Sequence, residues 1–188
     1  MAGLEVLHEQ ALASFDRQVA HVGGHNLGDA TPCAEWTVRE LLNHVVGEDL
    51  WFAALLDGET LAGVGDRFDG DLLGSDPGAA WAAARQGALA AIRGPGALER
   101  GVELSRGLVP AADYVWEILF DHTIHAWDLA RAVGGDATIE PALLDAATGW
   151  LEGHRDAVTG SGLFADPVEL GSQASDQDRL LAALGRRP

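Results

Sequence analysis

Apolar residues along this 188-residue chain recur with the period of a helix rather than that of a strand. Near the start they fall at Leu4, Leu7, Ala11, Phe15, Val19 and Val22, which predicts a helix from 4 to about 22, stopped by GGHNLGDATPC. A second helix, 38–57, opens on the T-x-x-E capping box of Thr37 to Glu40 and carries LLNHVVGEDLWFAALLDG up to Gly58. Residues 58–75 are rich in Gly and Asp and break both periods, so a long loop is expected there, of the kind that is often functional. Asp76 as N-cap and Pro77 at the first helical position begin an Ala-rich helix, 77–93. The segment 94–109 reads as irregular, with a short extended piece in VELSRGLV. The longest helix runs from Pro110 to about Val133 and ends on Gly134 and Gly135. Another runs from Pro141 to about Val158, and Ser175 caps a short last one to Leu184. Neither strand alternation nor a repeat nor a linker interrupts the series. The expected fold class is all-α: one domain over 1–188, a four-helix bundle with additional short helices.

Charge narrows the partners. Twelve basic residues, all of them Arg, face 29 Asp and Glu for a formal net charge of −17. Such a chain repels a phosphate backbone and anionic lipid, so no nucleic-acid or membrane partner is expected. The absence of Lys with abundant Ala and Gly has the look of codon bias in a GC-rich genome. A single cysteine, Cys33, cannot form an internal disulfide, and MAGLEVLHEQ lacks the pattern of a signal peptide. The apolar runs also fall short of the roughly 18 residues of a membrane span, so a cytoplasmic protein is expected.

The candidate chemistry lies in the longest helix. DHTIHAWDLARA, residues 121–132, puts Asp121 and His125 four apart, one above the other on one face. His44 sits among Leu41, Leu42 and Val45 on the second helix and points into or along the bundle. Together they make an N, N, O donor set with an open position, the form of a catalytic rather than a structural metal centre. The plainer alternatives are a core histidine bonded to a carbonyl and ordinary helix decoration. Glu48 and Glu117 stand open as a fourth ligand, as a carboxylate behind a ligand, or as solvated charge. Glu48 or Asp128 is also suited to take the second ring N–H of a ligating histidine. His122 points about a hundred degrees from Asp121, away from the same ion. His8, His21, His25 and His154 are expected at the surface. Trp51 and Trp127 are expected beside the ligands, and the other tryptophans in the core. Cys33 precedes a helix whose N-terminal potential favours a lowered thiol pKa, although a structural role is expected for it.

The blocks TPCAEWTVRELLNHVVGED, DHTIHAWDLARA and GLFADPVELGSQASDQDRLLAALGRRP resemble a family of actinobacterial metal-binding proteins. That family is similar to the N-terminal domain of mycothiol-dependent maleylpyruvate isomerase, within the DinB-like superfamily. The resemblance runs from about residue 10 to the end. It implies a DinB-like up-down-down-up bundle with a divalent metal on one His of the second helix and a carboxylate-x-x-x-His pair of a later one. In this sequence those positions are His44, Asp121 and His125. Zinc is the first expectation, with Ni, Fe and Mn suited to the same donors. Mycothiol or a similar small-molecule thiol is the implied cosubstrate, acting on a small electrophile by isomerisation or S-transfer, with the 58–75 loop over the open coordination position. Asp121 stands where the isomerase commonly has Glu, so a metal that is shifted, more weakly bound or lost is the expectation. The isomerase also continues into a second domain, which sets the expectation of a reaction other than maleylpyruvate isomerisation. Two further readings stand beside this one: a non-catalytic metal- or small-molecule-binding bundle, as a homodimer, and a metal-dependent hydrolase with Glu48 as base.

Overall fold

Capping chemistry sets the helix starts. The Thr37 side chain accepts from the Glu40 N–H while the Glu40 carboxylate accepts the Thr37 N–H at 2.8 Å, which closes the expected box. Asp76 accepts from the Ala79 N–H at 3.0 Å, with Pro77 in the first turn. Ser175 and Asp178 form a second capping box near the C-terminus. The computed structural model describes residues 3–33, 36–162 and 164–188; Ala34 and Glu35 of the first family block and Leu163 of the third lie outside the described residues. Among the described residues the elements are α1 (Leu4–Val19), α2 (Val38–Leu56), α3 (Leu61–Val64), α4 (Pro77–Ile92), β1 (Gly101–Leu104), β2 (Gly107–Pro110), α5 (Ala111–Val133), α6 (Pro141–Gly160) and α7 (Asp176–Ala183).

Four of these close a bundle: α1 packs on α5, α5 on α2, α2 on α4, and α4 returns to α1. The fold is all-α apart from one small hairpin, as the periodicity predicts. Several details differ. Helix α1 stops at Val19 because the buried Asn26 side chain ties the following turn, donating to the His21 carbonyl and accepting the Gly23 N–H, both at 2.9 Å. The expected loop 58–75 contains α3, a single turn capped by Thr60. The extended piece is a full antiparallel hairpin, β1 with β2, in which Leu104 pairs with Gly107. Pro110 belongs to that hairpin and serves as the residue before α5, which starts at Ala111. No helix among the described residues is long and apolar enough to cross a membrane.

Two apolar clusters share α5. The first fills the bundle with Leu12, Phe15, Leu42, Val45, Phe52, Trp81 and Leu129. The second lies outside it, where Leu119, Phe120, Ile124 and Trp127 of α5 meet Leu143 and Leu151 of α6 and Leu181 of α7. A helix wedged between two cores must be apolar nearly all round, and 15 residues of α5 are buried. His8 corrects the surface expectation. It falls in the α1 stripe with Leu4, Ala11 and Phe15, is fully buried, and stacks on Phe52 at 4.9 Å, with both ring nitrogens unpartnered among the described residues. His21, His25 and His154 are exposed, as expected.

Candidate metal centre

Because α2 and α5 lie side by side, His44 faces the Asp121–His125 pair. His44 Nε2 is 3.4 Å from Asp121 Oδ1, and His125 Nε2 is 3.3 Å from the same oxygen. One donor atom from each of the three residues lies within 4.8 Å of the other two. Zinc bonds of about 2.0–2.1 Å in a tetrahedron put neighbouring donors about 3.3–3.4 Å apart, so both N···O separations match those of coordinated ligands. Asp121 Oδ2 is buried with no hydrogen-bond partner among the described residues, a carboxylate oxygen that lacks its expected second contact. The donors present therefore fit a divalent ion. Aspartate, although a short carboxylate, brings one oxygen to both rings.

The electrostatics are those of a tight cluster. Burial alone would raise the Asp121 pKa, but His125 and then His44 outweigh it and hold the carboxyl well below its usual range. Burial alone would lower His125, but the Asp121 carboxylate, supported by Asp128, raises its pKa to about 9. His125 Nδ1–H donates to Asp128 Oδ2 at 3.0 Å, which leaves Nε2 to face Asp121. Asp128, not Glu48, therefore supports the histidine. Asp128 is fully buried, yet hydrogen bonds from His125 and Arg186 offset its burial and keep its pKa low. His122 faces elsewhere as its phase predicts: Nδ1–H donates to the Ile118 carbonyl at 2.7 Å, and Nε2 is 3.1 Å from Asp49.

A cavity of about 550 Å³ opens beside His44 and Asp121. His44, Glu48 and Asp121 line it together with Tyr114, Phe120, Trp150 and Phe164. Its size is that of a small-molecule pocket. Arg106, at the hairpin tip, is ion-paired with Glu117 at the rim, which makes Glu117 a rim charge. Glu48 has no hydrogen-bond partner among the described residues, and burial, then Asp121, raises its pKa. The 58–75 loop does not line this cavity. Its Gly70 and Asp71 line a separate cleft of about 420 Å³ across His44, with Trp36, Arg39 and Asn43.

The profile of the family described as mycothiol maleylpyruvate isomerase N-terminal domain matches residues 8–130. The chain belongs to this family. It is 32% identical over 186 residues to an uncharacterized protein of Mycobacterium tuberculosis, in each of two strains, with 95% of both chains covered. Crystal structures of the mycothiol-dependent maleylpyruvate isomerase and of a histidine-to-alanine mutant of it align with TM-scores of 0.59 and 0.61, at 22% and 20% identity. The match covers 76% of this chain and 65% of the isomerase chain, so it spans just under two thirds of that protein. At that identity the likeness shows the fold, a DinB-like bundle.

The isomerase-family domain contains His44, Asp121 and His125, but the match ends before α6, α7 and Arg186. Arg186 is the functional neighbour that sequence reasoning missed; its only signal is its place in the tail block. Two tryptophan expectations are also corrected. Trp127 is buried in the outer core, and Trp51 meets Phe68 at 5.8 Å; neither lines the cavity. Trp36 takes their place, its ring tilted against both imidazoles at 4.7 Å from His44 and 5.6 Å from His125, with Trp150 on the cavity wall. Cys33 lies within 4.8 Å of donor atoms of His125 and Asp128. Burial raises its thiol pKa despite the nearby Arg186 guanidinium, the reverse of the lowering expected from its helix position.

Proposed function

We propose that the protein binds a divalent metal, zinc first, through His44, Asp121 and His125, and uses a mycothiol-type thiol to act on a small electrophile in the 550 Å³ cavity. The observation that carries this reading is the approach of two imidazole Nε2 atoms to one Asp121 oxygen, at 3.4 and 3.3 Å, with His44 and Asp121 lining that cavity. When bound, the ion would hold a coordinated thiol as its thiolate at neutral pH. Family membership supports the thiol, and the donor set supports the ion.

The chain's own groups have distinct tasks in this account. His125 gives its Nδ1 proton to Asp128 as a hydrogen bond, so the Nε2 lone pair faces the site. Phe120, Trp150 and Phe164 offer flat apolar faces that exclude water and suit a conjugated substrate. The sulfur lone pair forms a C–S bond to the alkene carbon, and the alkene electrons move onto the adjoining carbonyl oxygen. Expulsion of the sulfur after rotation restores the alkene in its other geometry. In S-transfer the carbon beside the carbonyl takes up a proton instead, and the Glu48 carboxyl on the cavity wall, its pKa raised by burial and then by Asp121, is the candidate donor.

Elemental analysis of tag-free protein tests the metal, wild type beside His44→Ala, Asp121→Ala and His125→Ala. About one zinc per chain in the wild type, lost in folded variants, is the expected result; variants that keep their metal would overturn the assignment. Loaded protein is then assayed with conjugated electrophiles with and without thiol. Turnover independent of thiol would favour the hydrolase, and metal without any turnover the binding bundle.

A further inference from the structure

Arg186 follows α7 and lies beyond the matched family domain, yet it is only 5% exposed. Its guanidinium grips one carboxylate with two groups: Nη2–H donates to Asp128 Oδ2 at 2.8 Å and Nε–H to Oδ1 at 3.2 Å. The same Oδ2 accepts the His125 Nδ1–H at 3.0 Å. A continuous relay therefore runs from the C-terminal segment through a buried carboxylate to a candidate ligand.

The seat of this arginine is built. Its own N–H donates to the Leu181 carbonyl at 3.0 Å, and Nη1–H to that of Leu184 at 3.0 Å. Gly185 has φ of +79°, and a methyl group there would stand 2.6 Å from Ala165 Cβ, so the turn that delivers Arg186 has room only for glycine. The guanidinium carbon also lies 5.6 Å from the ring centroid of Phe164, a wall of the cavity. One side chain touches both the support of a ligand and the boundary of the substrate space. Without it, Asp128 would be a buried carboxylate with only a histidine for partner, at a substantial cost.

We infer that Arg186 is a positioning residue of the metal centre: it fixes Asp128, and through it the ring orientation and tautomer of His125. Metal loading and docking of the C-terminal segment are then coupled, and each strengthens the other by the same factor. This inference rests on the metal site proposed above.

The test is zinc affinity by chelator competition on the full chain, for wild type, His44→Ala, Arg186→Gln, Arg186→Lys, Asp128→Asn and Leu181→Ala. Arg186→Gln and Asp128→Asn are expected to bind about 10–100-fold more weakly, the range for losing a partner behind a ligand. Arg186→Lys keeps the charge but not the two-pronged grip, and recovers part of the loss. Leu181→Ala loosens tail packing but leaves the Arg186–Asp128–His125 relay in place; through the coupling it weakens zinc binding, by less than Arg186→Gln, which removes the grip itself. Amide exchange supplies the reciprocal readout: zinc slows exchange over 180–186 in wild type, whether or not every variant folds. Unchanged exchange there overturns the inference, as does wild-type affinity in Arg186→Gln, or an equal loss in Leu181→Ala. If wild type binds no zinc, or His44→Ala binds as tightly as wild type, the metal site itself is wrong and the inference falls with it. Zinc lost in His44→Ala but fully kept in Arg186→Gln sinks the inference alone.

Discussion

Loading zinc onto this site is expected to expel a proton from His125. In the metal-free protein that imidazole bridges two carboxylates, Asp121 at 3.3 Å and Asp128 at 3.0 Å, and its pKa stands at about 9. At pH 7 it is therefore almost wholly protonated, and an ion that needs the Nε2 lone pair must displace that proton. The two pH units between 7 and about 9 correspond to about 2.7 kcal/mol, or about a hundredfold in affinity. Zinc affinity should rise nearly tenfold per pH unit from 7 to 8.5 and level off above 9. Isothermal titration in buffers of different ionisation enthalpy counts the released protons, and about one per zinc is expected from His125 at pH 7. Fewer than about 0.3, with affinity flat across that range, would refute the reasoning. The metal-free protein answers to pH in the opposite sense. Because the folded pKa of His125 lies above the ordinary 6.5, its contribution to stability is fully present below pH 6.5 and is lost as pH rises through about 9.

Three further outcomes follow from other parts of the fold. Burial, with His122 adding to it, depresses the His8 pKa to about 3, so the native state loses stability as pH falls below 6.5. His8→Leu should remove about 1.5 kcal/mol of the loss between pH 6.5 and 5.0 in urea titrations; an unchanged pH dependence would show that His8 takes up its proton in the folded state. Thr37→Ala opens the capping box of α2 and should cost about 1 kcal/mol by chemical denaturation, with an effect under a few tenths counting against the box. Gly185→Ala should release the Arg186 turn and speed amide exchange over 180–186 while the exchange of α2 and α4 stays as in wild type.

The bundle was legible because its boundaries are local chemistry. Thr37 with Glu40, Asp76 with Pro77, and Ser175 mark helix starts within a few residues, and tertiary packing did not override them. The hairpin was less so, since four-residue strands around a two-residue turn leave little periodic signal. At the site, the spacing of Asp121 and His125 fixes a shared face, but only the adjacency of α2 and α5 brings His44 to them. Trp51 was misassigned for a geometric reason. Seven residues return to the same face as His44 but advance about 10 Å along the axis. His8 carried a readable sign, a place in the α1 apolar stripe, which its polarity outweighed. Arg186 carried no sign beyond its place in the tail block, because it reaches Asp128 across 58 residues of chain through a turn that no local rule predicts.

The position of α5 between two separate cores bears on how such a domain can change. The inner core holds the four-helix frame, while the outer one joins α5 to α6 and α7. Asp121 and His125 stand on the partition, within a turn of side chains that belong to the outer layer, such as Phe120 and Ile124. Residues of that layer, Trp150 and Phe164, also bound the cavity. Drift in α6, α7 and the tail can therefore recut the chamber and retune the histidine while the frame stays intact.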